Sequence, residues 1–205
     1  MDLPSLTFQG LLTAVPAILI AITFHEYAHG KTAALLGDPT PGRYGRLTLN
    51  PLAHLDPIGT LMLLVARFGW AKPVPVNPFY FTGNRRRGML LVGLAGPAMN
   101  LVLAYLAAFG FKLAYNGSPL LQDFFRELLF VNLALAVFNL LPIPPLDGSK
   151  ILQNLLPAGY SSFFYRLEAY GPLILLLCLA TGLISRVMVP VVMTLLQLIV
   201  FLVGL

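Results

Sequence analysis

The chain closes a long apolar run, Leu11 to Phe24, with His25-Glu26-Tyr27-Ala28-His29. Two histidines and a glutamate within five residues then belong to a helix that is apolar enough to enter a bilayer. Such groups are costly at membrane depth and are tolerated where the protein interior supplies partners. Residues i and i+4 share a helix face, so His25 and His29 can reach one metal ion. Glu26 is then held beside that ion, where a carboxylate can take a proton from metal-bound water.

Composition supports the membrane setting. The chain has 205 residues, 58% hydrophobic and only 10% charged, whereas a soluble domain carries about 25% charged residues. An integral membrane protein is expected, and one compact membrane domain over residues 1–205 is the simplest count. The single cysteine, Cys178, excludes an intrachain disulfide and reads as a small apolar packing residue. The net charge of +5 reads as cationic loops facing the cytoplasm and anionic lipid. No nucleic-acid motif accompanies it, so no nucleic-acid partner is expected. Met1-Asp2-Leu3-Pro4 lacks the basic start of a signal peptide, so the first apolar segment is expected to be retained.

Apolar segments run from about Phe8 to His29, Ile58 to Ala66, Gly88 to Leu113, Leu120 to Leu141, Leu173 to Ile184 and Val187 to Leu205. The second is too short to span, since a crossing helix needs about 20 residues. Eight of the 13 Lys and Arg residues lie between His29 and Gly88: Lys31, Arg43, Arg46, Arg67, Lys72 and Arg85 to Arg87. They fall on one side only if Ile58 to Ala66 is re-entrant or interfacial, as the positive-inside rule favours. The expected fold is therefore an all-α polytopic membrane protein with about five spanning segments plus one short one. Its core covers about residues 8–150 and a C-terminal helical hairpin about 170–205. The N-terminus is expected outside, the His25 motif toward the cytoplasmic half, Arg186 outside and the C-terminus inside. Tyr44 to Asn50 alternates in polarity, and Pro73 to Asn77 is held extended by its prolines. Both are expected as short strands or extended segments near the mouth of the site, where irregular backbone is tolerated at membrane depth.

Catalytic zinc usually has three protein ligands and one open position. Among eight acidic residues, Asp147 stands out as the third candidate. It follows an apolar segment in Asn139-Leu140-Leu141-Pro142-Ile143-Pro144-Pro145-Leu146-Asp147-Gly148. The prolines break the helix, and Gly148 lets the chain turn at close quarters.

With these elements, the sequence resembles the site-2 proteases, zinc metalloproteases that cleave transmembrane helices within the membrane. The resemblance rests on His25-Glu26-x-x-His29, on Gly96-Pro97-Ala98-Met99-Asn100, and on Asn139-x-x-Pro142-x-Pro144-x-Leu146-Asp147-Gly148. It covers about residues 15–150, and three elements in order are specific. The resemblance implies one Zn2+ per chain on His25, His29 and Asp147, with Glu26 activating the water. Asn100 and Asn139 match polar family positions near the site. The family's extended substrate-holding segments correspond to Tyr44–Asn50, which contains Thr48, and to Pro73–Asn77. The chain is similar to the compact prokaryotic type that lacks PDZ and nucleotide-binding regulatory domains, implying a prokaryotic cell membrane and a transmembrane protein substrate.

Competing readings stand beside these. His54 can stabilise an oxyanion or brace the turn before Ile58 with Asp56, and the second is favoured. Asn100 and Asn139 can bond across helices, as membrane asparagines commonly do. A membrane metal carrier without proteolytic activity is the alternative function, and Glu26 argues against it, because a carrier needs no base beside its ligands.

Overall fold

The computed structural model describes residues 8–66 and 69–205. Residues 1–7, which include the start weighed against a signal peptide, and Arg67 of the cationic stretch lie outside the described residues. Among the described residues, eight α-helices follow in order: α1 (Phe8–Leu35), α2 (Thr40–Arg43), α3 (Pro57–Ala66), α4 (Arg85–Ala114), α5 (Pro119–Asn139), α6 (Asp147–Leu155), α7 (Ser161–Ala180) and α8 (Leu183–Val203). Three of the described helices are long and apolar enough to cross a membrane: Gly10–Leu35, Arg85–Ala114 and Leu183–Val203. Helix α5 is charged at its start, with Asp123, Arg126 and Glu127. Its other end is deeply packed, Asn132, Leu133 and Ala136 being fully buried.

Helices α1, α4, α5 and α8 form the bundle that positions the site. Small residues let their backbones approach: Ala17, Ala21, Ala104, Ala108 and Ala136 are fully buried, as expected where lipid supplies no hydrophobic drive and close packing must hold helices together. Gly110 of α4 shows how tight this is, because a Cβ there would meet the Phe125 ring of α5 at 2.4 Å. Contacts of His25 with Asn100 and of His29 with Val92 set α1 antiparallel to α4. Phe125 beside Gly110 and Asn132 beside Asn100 do the same for α5 against α4.

Helix α3 has 10 residues, about 15 Å at 1.5 Å per residue. That is half the bilayer's hydrocarbon thickness, so α3 does not cross, as its length predicts. Asp56 caps it by accepting from the Gly59 amide at 2.8 Å. The chain then returns beside its start, where the antiparallel bridge Leu55–Ala71 and the Lys72 N–H to His54 carbonyl bond close the loop.

In the C-terminal region, two helices joined by a short turn follow one another, with the turn earlier than the sequence reading placed it. The turn falls at Thr181–Gly182, where Gly182 has φ 70°, a left-handed geometry that favours glycine. Arg186 therefore lies in the first turns of α8, not between helices. The start of α8, through Ile184 and Met188, packs with Phe138, Leu141 and Leu146. Its far end receives the Lys112 ammonium on the Val203 carbonyl at 2.6 Å. Helix α8 thus runs parallel to α4, and the C-terminus lies at the end of the bundle where α4 turns into α5, opposite Arg85–Arg87. Helix α7 packs close to the site. Gly171 packs on Pro144 backbone atoms and Leu175 joins Leu146 and Ile184, so its C-terminal half lies against the loop before Asp147.

The expected strands are also corrected: among the described residues there is none, only the isolated bridge Leu55–Ala71. Tyr44–Asn50 turns at Gly45, with φ 66°. The Thr48 carbonyl faces the His54 ring and the Asn50 amide bonds the Thr48 hydroxyl, so local partners replace a ladder. Pro73–Asn77 is extended, but its two prolines offer no N–H to a neighbouring strand.

The reversed C-terminus has a direct test. In a Cys178→Ser background in sealed membranes, Asn116→Cys and Leu205→Cys should label from one side with an impermeant thiol reagent, and Arg86→Cys from the other. Labelling of positions 205 and 86 from the same side would contradict this packing.

Candidate metal centre

The site lies where α1, α4 and the start of α6 meet. His25, His29 and Asp147 are 4%, 8% and 5% exposed. His29 Nε2 lies 3.0 Å from His25 Nε2 and 3.0 Å from Asp147 Oδ2. His25 Nε2 lies 3.2 Å from the same Oδ2. In a tetrahedral zinc site with bonds of about 2.0–2.1 Å, ligand atoms lie about 3.3–3.4 Å apart. The three donor atoms already sit near the spacing of three tetrahedral corners.

The opposite ring nitrogens explain why these atoms face inward. His29 Nδ1 lies 2.7 Å from the Val92 carbonyl, which can only accept, so Nδ1 carries the proton and Nε2 presents a lone pair. His25 Nδ1 lies 2.6 Å from Asn100 Oδ1. Two imidazole lone pairs and a carboxylate oxygen then converge. One divalent cation satisfies all three at once, whereas one proton serves a single pair.

Backbone makes room for this convergence. A Cβ on Gly96 would stand 2.4 Å from His29 Nε2 and 2.6–2.7 Å from His25 ring atoms. Across the site, a Cβ on Gly148 would meet the Leu140 and Leu141 carbonyls at 2.2–2.4 Å. This glycine lets the chain fold back from α5 and begin α6 at Asp147. The carboxylate sits in the first turn of α6, where the helix dipole favours negative charge. Lys150 Nζ lies 3.4 Å from Oδ1, leaving Oδ2 for the histidines.

Glu26 is half-buried on the adjoining face of α1. Its Oε2 accepts from the Val74 amide at 3.0 Å, so the base is held by the extended segment after α3. That segment is pinned on both sides of Val74. Lys72 donates to the His54 carbonyl and receives Arg46 Nη2 on its own carbonyl. Asn77 donates to Asp38 Oδ2 at 2.7 Å.

The remaining sequence candidates fall elsewhere. Asn100 is fully buried and touches His25 from behind, so it does not line a substrate cleft. Asn139 is half-buried and its Nδ2 donates to the Leu135 carbonyl of its own helix. His54 is fully buried, and its ring nitrogen Nε2 pairs with the Thr48 carbonyl at 2.9 Å. His54 and Thr48 therefore brace a loop together, close to the bracing role weighed for His54. The sequence reading missed Val74, Arg46 and Asn132. The prolines beside Val74 marked the segment, but no residue pattern marks a backbone amide as the partner of Glu26.

Two histidines, an adjacent glutamate and a converging carboxylate, buried among apolar helices, are the donor set of a zinc hydrolase. Comparison with known proteins places the class. The model of peptidase family M50 matches residues 118–179. YwhC of Bacillus subtilis, named as a candidate zinc metalloprotease, is 42% identical over 86% of this chain and 84% of its own length. Rip2 of Mycolicibacterium smegmatis, named likewise, is 32% identical over 88% of this chain and 72% of its own. Rip2 of Mycobacterium tuberculosis is 36% identical over 72% of this chain and 59% of its own. No solved structure matches. The chain belongs to peptidase family M50, the zinc metalloproteases.

Gly96→Ala tests the cradle. A methyl group between the imidazoles should lower zinc affinity by roughly tenfold or more in chelator competition, while circular dichroism still reports the helices. Unchanged affinity would mean that the ligands do not meet at Gly96.

Proposed function

We propose that this chain is an intramembrane zinc endopeptidase that hydrolyses peptide bonds within or beside transmembrane helices of membrane-anchored proteins. The observation that carries the reading is a buried His25–His29–Asp147 cluster at the cationic half of an apolar bundle, with Glu26 next to it. Residues 1–205 act as one membrane domain in a prokaryotic cell membrane. Helices α1, α4, α5 and α8 cross, while α3 and α7 do not, which makes four crossings in place of the five expected. The start of α1 and the end of α8 both face outward, and the site opens toward the cytoplasmic half.

His25, His29 and Asp147 would hold the metal. A zinc ion there supplies water that is acidic near neutral pH and polarises the scissile carbonyl. Glu26 takes the proton of the attacking water and returns it to the leaving amine. The Val74 amide holds one oxygen of Glu26 and leaves the other free for that transfer. A helical substrate hides its carbonyls in i to i−4 bonds, so it unwinds locally before cleavage. The extended segment Lys72–Asn77, pinned beside Glu26, is the surface along which the unwound stretch lies; Tyr44–Asn50, turned on itself, is not.

The test compares purified wild type with Glu26→Gln on a single-span membrane protein in detergent. Both should hold one zinc, and cleavage should fall by roughly 10²–10⁴-fold in the variant. Equal cleavage by both would overturn the role of Glu26. Zinc in both without cleavage of any membrane-anchored substrate would favour the metal-carrier reading.

A further inference from the structure

Behind His25 lies a chain of buried amides that the zinc cluster itself does not require. Asn100 Nδ2 donates to the Ala21 carbonyl at 3.1 Å and to Asn132 Oδ1 at 2.8 Å. Asn132 Nδ2 donates to the Leu128 carbonyl at 2.8 Å. Asn100 and Asn132 are both fully buried, on α4 and α5, and His25 and Ala21 lie on α1.

We infer that Asn100 and Asn132 form a directional relay that fixes the tautomer and ring plane of His25, and that both are positioning residues for the metal site. This rests on the reading of His25, His29 and Asp147 as metal ligands. The direction follows from the ends of the chain. Main-chain carbonyls only accept. The Leu128 carbonyl therefore selects the NH2 group of Asn132, which turns Oδ1 of Asn132 toward Asn100. Asn132 Oδ1 and the Ala21 carbonyl together select the NH2 group of Asn100. Its oxygen is left facing His25, so Nδ1 of His25 must donate. Nε2 then carries the lone pair that a metal requires.

His29 reaches the same tautomer with a single carbonyl, that of Val92. A backbone carbonyl is fixed by its helix, but an asparagine amide can flip. A flipped Asn100 would present NH2 to His25, force the proton onto Nε2 and close that ligand atom. Asn132 is what prevents the flip, since reversal of Asn100 would set its oxygen against Asn132 Oδ1 and the Ala21 carbonyl, both acceptors, and Asn132 is itself held by the Leu128 carbonyl. An unsatisfied buried amide is costly, which holds one orientation. Partners of this kind, one step outside the metal, orient ligand histidines generally, and their loss typically lowers metal affinity by about 10–100-fold.

A purely structural pair of asparagines would stabilise helix packing without setting the state of His25, and two measurements separate the cases. The first needs no variant: ¹⁵N NMR of histidine-labelled, metal-free wild type, with resonances assigned by His25→Gln and His29→Gln. The relay requires His25 to be protonated at Nδ1, and a proton at Nε2 overturns it. The second is zinc affinity by chelator competition, alongside thermal unfolding. Asn100→Leu should weaken zinc by about 10–100-fold. Asn100→Asp keeps an acceptor on Nδ1 and should recover most of that loss. Asn132→Leu leaves the Asn100 contact but frees its amide, and should weaken zinc by a smaller factor with a mixed His25 tautomer. Wild-type zinc affinity in folded Asn100→Leu would overturn the relay. A wild type that binds no zinc would instead sink the metal reading, while the tautomer measurement still decides the relay.

Discussion

The structure turns on three acceptor atoms held together inside an apolar bundle. His25 Nε2, His29 Nε2 and Asp147 Oδ2 lie within 3.0–3.2 Å of one another. Left to themselves, two lone pairs and a carboxylate repel. They remain in place because each is committed from behind: His29 to a helix carbonyl, His25 to an asparagine chain, Asp147 to a helix start and Lys150. The cluster is thus prepared for one cation by the fold around it, and a divalent metal bound there would strengthen the fold in return.

Small residues and broken helices make the convergence possible. Gly96 lets α4 pass against two imidazoles, and Gly148 lets the chain reverse against the end of α5. The prolines between them prevent α5 from continuing, so a carboxylate can enter from the bundle end. Non-helical backbone at this depth survives because protein covers it and side chains satisfy it. Arg46, His54 and Asp38 do so for the segment that holds Glu26. Base, ligands and extended segment form one connected structure, so a change in the loop after α3 would reach the base directly.

Much of this is legible in the sequence where one rule decides. The spacing of His25 and His29 places them on one face of α1, and the length of α3 rules out a crossing. Asp147 is marked by prolines and a glycine, and the structure brings it to the histidines. The strand expectation failed because alternation in Tyr44–Asn50 reflects local side-chain bonding and a left-handed Gly45, with no neighbour to pair. The turn before α8 was misplaced because one arginine, Arg186, in an apolar stretch carries little topological information. Lys112 on the end of α8 supplies that information, but only once the helices are packed. Asn132 went unread because a lone asparagine in an apolar helix has many possible partners. Its meaning depends on Asn100, 32 residues away in sequence.

The central claim is that His25, His29 and Asp147 hold one zinc ion, and X-ray absorption at the zinc edge of the purified chain tests it most directly. The account predicts one zinc per chain, with two imidazole nitrogens at about 2.0–2.1 Å and oxygen ligands at about 2.0–2.2 Å, and loss of that signal in His29→Ala. Zinc absent from a folded, detergent-purified chain would contradict it. So would a sulfur ligand at about 2.3 Å, which would move the metal to Cys178, the single cysteine of the chain.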